Sequence, residues 1–201
     1  MNVELIRKGA RYAVISINDG GEFYSKSDHE IFLNGKFYSH VKKTVNCIWG
    51  LKPETDYTVT VDDERISFRT DYEFVTLDVV KFGARGDGVS DDTVYIQAAV
   101  AACPADSRVL VPAGRYKVTN IFLKSDVRIE LAHGAEIIAD SERYTHPVFP
   151  GMIESYDEKS EYNLGTWEGN PLPMFAGIFT MLNVANVEIY GEGTINGNAS
   201  H

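Results

Sequence analysis

Cysteine is scarce: the 201-residue chain has two, Cys47 and Cys103. That is too few for a disulfide framework, and they lie on opposite sides of the domain boundary drawn below, so both read as reduced thiols. Long apolar runs are missing as well. No stretch reaches the roughly eighteen residues that a membrane span requires. The start, MNVELIRKGARYAVISIND, has no charge-free apolar core of signal-peptide length. These absences point away from a membrane partner and favour the cytoplasm over export. Positive charge is in deficit too, with 19 Lys and Arg against 29 Asp and Glu and a formal net charge of −10. A general nucleic-acid partner is excluded on that ground, because backbone affinity rests on clustered cations that release counterions. An anionic polysaccharide is disfavoured unless a basic cleft forms locally.

What is present has two grammars. Residues 1–72 read as short strands between turns. YAVISIN (12–18) alternates and is rich in β-branched residues, and IFLNGKFYSH (31–40) places Asn34-Gly35, a strong hairpin signal, between apolar runs. WGLKPETDYTVTVDDERISFRT then supplies an alternating strand at 58–61 and a last strand in RISFRT. About seven strands in this length predict a small β-sandwich. The Leu51-x-Pro53-x-Thr55-x-Tyr57 run resembles the corner of fibronectin type III domains, although YAVISIN lacks their early-strand tryptophan.

From residue 73 the pattern changes. FVTLDVVKFGA reads as one strand and TVYIQAAVAAC as a helix. A series of short apolar segments follows, and two of them match each other. Phe122-Leu123-Lys124 with Asp126-Val127-Arg128-Ile129 parallels Met181-Leu182-Asn183 with Asn186-Val187-Glu188-Ile189, each followed by a glycine (Gly134, Gly193) and an isoleucine (Ile137, Ile195). Such a repeat predicts a solenoid whose coils each add a few residues to stacked parallel sheets.

Between the first strand and the helix stands KFGARGDGVSDD (81–92). A phosphate cradle is a poor reading, since the glycine spacing fits neither dinucleotide nor P-loop order and Asp91 and Asp92 would repel an anion at the helix N-terminus. Asp87, Asp91 and Asp92 offer hard oxygen ligands, yet the EF-hand spacing is absent; no metal or other cofactor is assigned. Arg85-Gly86-Asp87 spells an adhesion triplet that a tight turn explains equally well. The preferred reading is architectural. Gly86 and Gly88 permit positive φ, Ser90 or Asp91 accepts from the first free helical N–H groups, and Asp92 favours the dipole. Asp87, Ser90, Asp91 and Asp92 are then a structural turn and cap. The helix, apolar nearly all round, is expected to be buried as a lid.

DVVKFGARGDGVSDDTVYIQAAVAAC followed by RVLVPAGRYKV resembles the opening of right-handed parallel β-helix proteins of the pectin-degrading superfamily. There this stretch forms the first turn and the helix that plugs the solenoid. TWEGNPLPMFAGIFTMLNVANVEIYGEGTINGNA is similar to glycoside hydrolase family 28, the polygalacturonase group, through Trp167-Glu168-Gly169 and through Gly191-Glu192-Gly193-Thr194-Ile195-Asn196-Gly197, with Asn196 at the usual Asp. A fibronectin-like domain before the β-helix resembles the exo-acting bacterial branch. The resemblance implies a mainly-β fold, with a sandwich over 1–72 and an incomplete right-handed parallel β-helix with an N-terminal capping helix over 73–201. It implies a pectic oligosaccharide or polysaccharide as partner.

The resemblance also implies inverting hydrolysis of α-1,4-galacturonan, which needs two carboxyls about 6.5–9.5 Å apart. The family supplies them from Asn-Thr-Asp, Asp-Asp, Gly-His-Gly and Arg-Ile-Lys motifs on later coils, a set that these 201 residues do not contain. Asp62-Asp63, Asp91-Asp92, His133 and Glu130 are near matches in the wrong settings, so no catalytic residue is assigned. The chain is read as an N-terminal portion that is inactive alone and has further coils of the same protein as partner. The insertion at 141–175 is rich in aromatics, which suit either a sugar-binding wall or packing of the loop itself. Trp167 and Glu168 are the candidate substrate contacts, and Arg143 and His146 are candidates for binding a carboxylate. The alternatives are a noncatalytic carbohydrate-binding or docking module and a β-helix polysaccharide lyase.

Overall fold

The computed structural model describes residues 1–153 and 162–199. It divides into two compact units, Met1–Phe74 and Val75–His201.

The first unit contains β1 (Asn2–Lys8), β2 (Ala13–Asn18), β3 (Tyr24–Leu33), β4 (Lys36–Lys43), β5 (Val45–Ile48), β6 (Asp56–Val61) and β7 (Glu64–Arg69). They form two antiparallel sheets, β1-β2-β5 and β4-β3-β6-β7. Alternation decides which face each strand buries. Ala13, Ile15 and Ile17 are buried while Val14 and Ser16 are half-exposed. One core draws Val3, Ile15 and Ile48 from the first sheet and Ile31, Val59, Val61 and Phe68 from the second, so the unit is a sandwich. Asn34 (φ 50°) and Gly35 (φ 76°) turn β3 into β4, with both central residues at the positive φ that a two-residue hairpin needs. The Tyr57 hydroxyl accepts from the Lys52 N–H at 2.9 Å, which fixes the corner before β6.

The second unit begins with β8 (Thr76–Asp78), β9 (Asp87–Asp91), helix α1 (Thr93–Ala102), β10 (Arg108–Val111), β11 (Gly114–Val118), β12 (Ile121–Phe122), β13 (Val127–Leu131) and β14 (Ala135–Ala139). An insertion carries β15 (Val148–Phe149), β16 (Met152–Ile153), β17 (Tyr162–Asn163), β18 (Thr166–Trp167), β19 (Asn170–Pro171) and β20 (Met174–Phe175). The unit continues through β21 (Phe179–Thr180), β22 (Val187–Gly191) and β23 (Thr194–Asn196). Three sheets are parallel, β8-β10-β13-β22, β9-β11-β14-β23 and β12-β21. Each turn of chain adds one rung to neighbouring sheets, which is a parallel β-helix.

The internal repeat is the register of this stack. Val127 pairs with Val187, Ile129 with Ile189 and Ile137 with Ile195. Leu77, Val109, Ile129 and Ile189 thereby form one column, in which Val109 and Ile129 are fully buried. Complete burial of such a side chain is worth roughly 1.5–3 kcal/mol, so the column holds the rungs together. Asp126 (φ 58°) and Asn186 (φ 56°) occupy the same bend, and the Asn186 side-chain amide donates to the Asp126 carboxylate at 2.9 Å.

Two expectations need correction. FVTLDVVKFGA is not one strand: β8 ends at Asp78, whose carboxylate accepts from the Val80 N–H at 2.9 Å and starts a 3-10 turn over Val79–Phe82. Helix α1 is not buried all round either. Ile96, Ala99 and Val100 enter the solenoid core, whereas Val94 is 63% exposed. The helix covers the coil with one face only, and alanine at 98, 101 and 102 places little apolar area on its other faces. Gln97 ties it to β12 twice, donating to the Phe122 carbonyl at 3.0 Å and accepting from the Phe122 N–H at 2.7 Å. Lys124 caps its end by donating to the Ala101 and Cys103 carbonyls.

Candidate functional site

KFGARGDGVSDD folds as a locked turn. Gly86 (φ 62°) and Gly88 (φ 75°) take the left-handed conformation. A Cβ on Gly86 would stand 2.9 Å from Tyr116 Cζ, so space as well as φ selects glycine there. Asp87 accepts from the N–H groups of Val89 at 2.9 Å and Ser90 at 2.7 Å and from the Ser90 hydroxyl at 2.8 Å. These bonds to Ser90 and Val89 lower its carboxyl from 3.8 to about 2. Asp91 caps the helix start, accepting from the N–H of Thr93 at 2.9 Å and from its hydroxyl. Of Ser90 and Asp91, Asp91 is the one that caps, and Asp92 takes a further part in the turn. The Ser90 hydroxyl is spent on Asp87. Asp92 stands at the N-cap position without a side-chain cap bond and is fully buried, its two oxygens accepting from the N–H groups of Arg85 at 2.7 Å and Gly86 at 3.0 Å. Arg85 reaches the Ser90 hydroxyl at 3.2 Å, so every member of the adhesion-like triplet serves the turn.

The near matches to catalytic motifs are committed elsewhere. Asp62 lies in the β6–β7 turn, 2.6 Å from Nδ1 of the buried His29. Glu130, outward on β13, pairs with Arg108. His133 belongs to the β13–β14 connection.

The insertion brings side chains together that adjacency in sequence does not. Residues 154–161 of it lie outside the described residues, as do 200 and 201. β18 and β19 form a hairpin in which Trp167 pairs with Asn170, and Glu168 (φ 50°) and Gly169 (φ 81°) make its tip. Trp167 is 69% exposed. Arg143 and His146 lie apart from this tip, beside an open cavity of about 540 Å³ at the C-terminal end of β14. Trp167 and Glu168 do not line it; Phe175, Ala139, Ile178 and Gly197 do.

This cavity is built by short-range rules. Asp140 follows β14 and accepts from the Glu142 N–H at 3.0 Å, which turns the chain; its other oxygen meets Lys117 Nζ at 3.1 Å. Those two contacts, the backbone bond first, keep the Asp140 carboxyl below its ordinary range. His146 Nε2 lies 2.6 Å from the Asp140 carbonyl oxygen, and a carbonyl only accepts, so Nε2 carries a proton and donates. Pairing of Val148 with Phe175 brings the Phe175 ring to 6.5 Å from the imidazole, edge to face at 78°. The result is an aromatic plane, a half-buried imidazole and a guanidinium around a largely apolar hollow. Sequence reasoning found Arg143 and His146 but missed Phe175 and Gly197, which reach the site only through the β15–β20 ladder and the last coil.

Comparison with known proteins follows the same lines. The family model described as rhamnogalacturonase A/epimerase, pectate lyase-like, matches residues 76–142, the opening coils. The exo-poly-alpha-D-galacturonosidase of Dickeya chrysanthemi is 28% identical over 171 residues, covering 74% of this chain and 26% of that protein. The family 28 exopolygalacturonase of Yersinia enterocolitica superposes with a TM-score of 0.66 at 22% identity, over 98% of this chain and 41% of that one. The likeness to the Yersinia structure is one of fold, a β-sandwich and a parallel β-helix. The chain spans about a quarter of the length of the Dickeya relative. Mannuronan C5-epimerase AlgE1 of Azotobacter vinelandii is 38% identical over 107 residues, 46% of this chain and 8% of that protein.

Proposed function

We propose that this chain is the N-terminal portion of an exo-acting, inverting glycosidase of α-1,4-galacturonan, and that these 201 residues hold no complete catalytic centre. One observation carries the reading: the aligned share of the exo-poly-alpha-D-galacturonosidase, 74% of this chain, is more than the β-helix unit alone contains, so the likeness reaches into the sandwich. The Tyr57 corner and the two-sheet core support naming that sandwich fibronectin type III-like. Further coils would stack on β22 and β23 and bring the paired carboxyls that inverting chemistry requires. In this reading the exposed Trp167 offers its indole to the C–H face of a pectic sugar, and Glu168 at the hairpin tip accepts from a sugar hydroxyl.

The test is an oligogalacturonide digest with product analysis. A protein that includes the further coils is expected to release short products from chain ends, and the 201-residue chain to release none; cleavage by the short chain sinks the claim of inactivity. A second reading, a lyase or epimerase acting on a polyuronide, is favoured by the 38% identity to the mannuronan C5-epimerase. Hydrolytic products that persist in EDTA separate the hydrolase from a calcium-dependent lyase.

A further inference from the structure

The hollow at the end of β14 has a charge balance that the rest of the chain does not lead one to expect. The protein carries −10 overall, yet the charged side chains lining this cavity, Asp140 and Arg143, balance. Asp140 is already matched by Lys117 at 3.1 Å and by the Glu142 N–H, while the exposed Arg143 has no ion-pair or hydrogen-bond partner for its guanidinium among the described residues. A volume of about 540 Å³ falls within the ~300–1,000 Å³ range of small-molecule sites, which are mostly apolar with a few convergent polar groups. Phe175, half exposed, supplies a flat apolar face. His146 is held by its Nε2 donor bond, so Nδ1 remains for a ligand hydroxyl.

We propose that this cavity is a binding subsite for one hexuronate unit, with Arg143 taking the carboxylate, Phe175 the C–H face of the ring and His146 Nδ1 a hydroxyl. A guanidinium fork matches a carboxylate in two bonds, and charge-assisted bonds are about twice as strong as neutral ones. The preference is therefore for the acid over the neutral sugar. The assignment rests on the glycosidase reading only for the choice of galacturonate as probe, since the cavity belongs to this chain and needs no catalytic residue.

The experiment is a titration of the 201-residue chain with D-galacturonate and, separately, D-galactose, followed by amide chemical shifts. Galacturonate is expected to shift Ala139–Ser141, His146 and Ala176–Ile178, with galactose binding at least about 10-fold more weakly. Arg143→Gln should bring galacturonate down to the galactose level and leave galactose unchanged. Gly197→Leu is a second probe, because nothing stands within 4 Å of a Cβ there; it should weaken both sugars with the fold retained. Equal affinity for the two sugars, binding indifferent to Arg143→Gln, or no binding of either overturns the proposal. These outcomes are separate from the digest, because a parent that hydrolyses galacturonan while this chain ignores galacturonate refutes the subsite and not the glycosidase.

Discussion

Replacing Asp92 tests the reading that the glycine-rich turn is architecture. Its carboxylate is fully buried and is the acceptor for two backbone N–H groups, those of Arg85 and Gly86. Asp92→Ala removes both acceptors. A donor left unsatisfied costs about 1–3 kcal/mol, so with two of them the alanine variant should lose about 2–6 kcal/mol. Asp92→Asn is nearly isosteric and separates chemistry from volume. Its carbonyl oxygen keeps one N–H, but its NH2 confronts the other donor, for an expected loss of about 1–3 kcal/mol. For a chain of this size 1 kcal/mol moves Tm by about 2–4 °C. The β-helix transition should therefore fall by several degrees in the Asn variant and further in the Ala variant, read by near-ultraviolet dichroism. Native-state hydrogen exchange should show the Arg85 and Gly86 amides losing protection first. An Asn variant that melts with the parent and keeps both amides protected would refute the assignment.

Other consequences are independent of that one. Gly86→Ala forces φ 62° on an L-residue and a Cβ onto Tyr116, and should cost about 1–3 kcal/mol in denaturant unfolding. The Asp87 carboxyl is lowered to about 2 by its bonds to Ser90 and Val89, so its contribution to stability is complete above its ordinary 3.8 and lost as pH falls toward 2; in Asp87→Asn the acid limb of stability against pH should be shallower over that window. Tyr57→Phe removes the acceptor for the Lys52 N–H and should cost the sandwich about 0.5–1.5 kcal/mol, seen as a lowered denaturant midpoint. Trp167→Ala, on the exposed β18–β19 hairpin, should change stability by less than about 0.5 kcal/mol while weakening oligogalacturonide binding by calorimetry.

Much of the fold was legible because its signals are local. Asn34-Gly35 needs only its own φ angles to make a hairpin, and the alternation of Ala13, Ile15 and Ile17 names the buried face without knowledge of the partner sheet. The repeat was legible for a different reason: stacked coils demand the same side chain at the same rung, so Ile129 and Ile189 had to match to share a column. What escaped was set by tertiary context. An apolar helix reads as buried from sequence, but only the Ile96, Ala99 and Val100 face meets the coil. Asp92 occupies the capping position in sequence, yet two unsatisfied N–H groups in the preceding turn draw its carboxylate backward. The cavity was half legible. Arg143 and His146 are near neighbours in sequence, whereas Phe175 joins them across the insertion through a two-residue ladder that leaves no periodic signal.

The central claim is that these residues are the opening of a galacturonan hydrolase whose chemistry lies on further coils. The direct measurement is a digest of a defined α-1,4-oligogalacturonide, followed by proton NMR of the newly formed anomer, run with the 201-residue chain and with a protein extended by those coils. The account predicts inverted product from the extended protein and none from the short chain. Hydrolysis by the short chain, or an extended protein that leaves the oligogalacturonide intact, contradicts it.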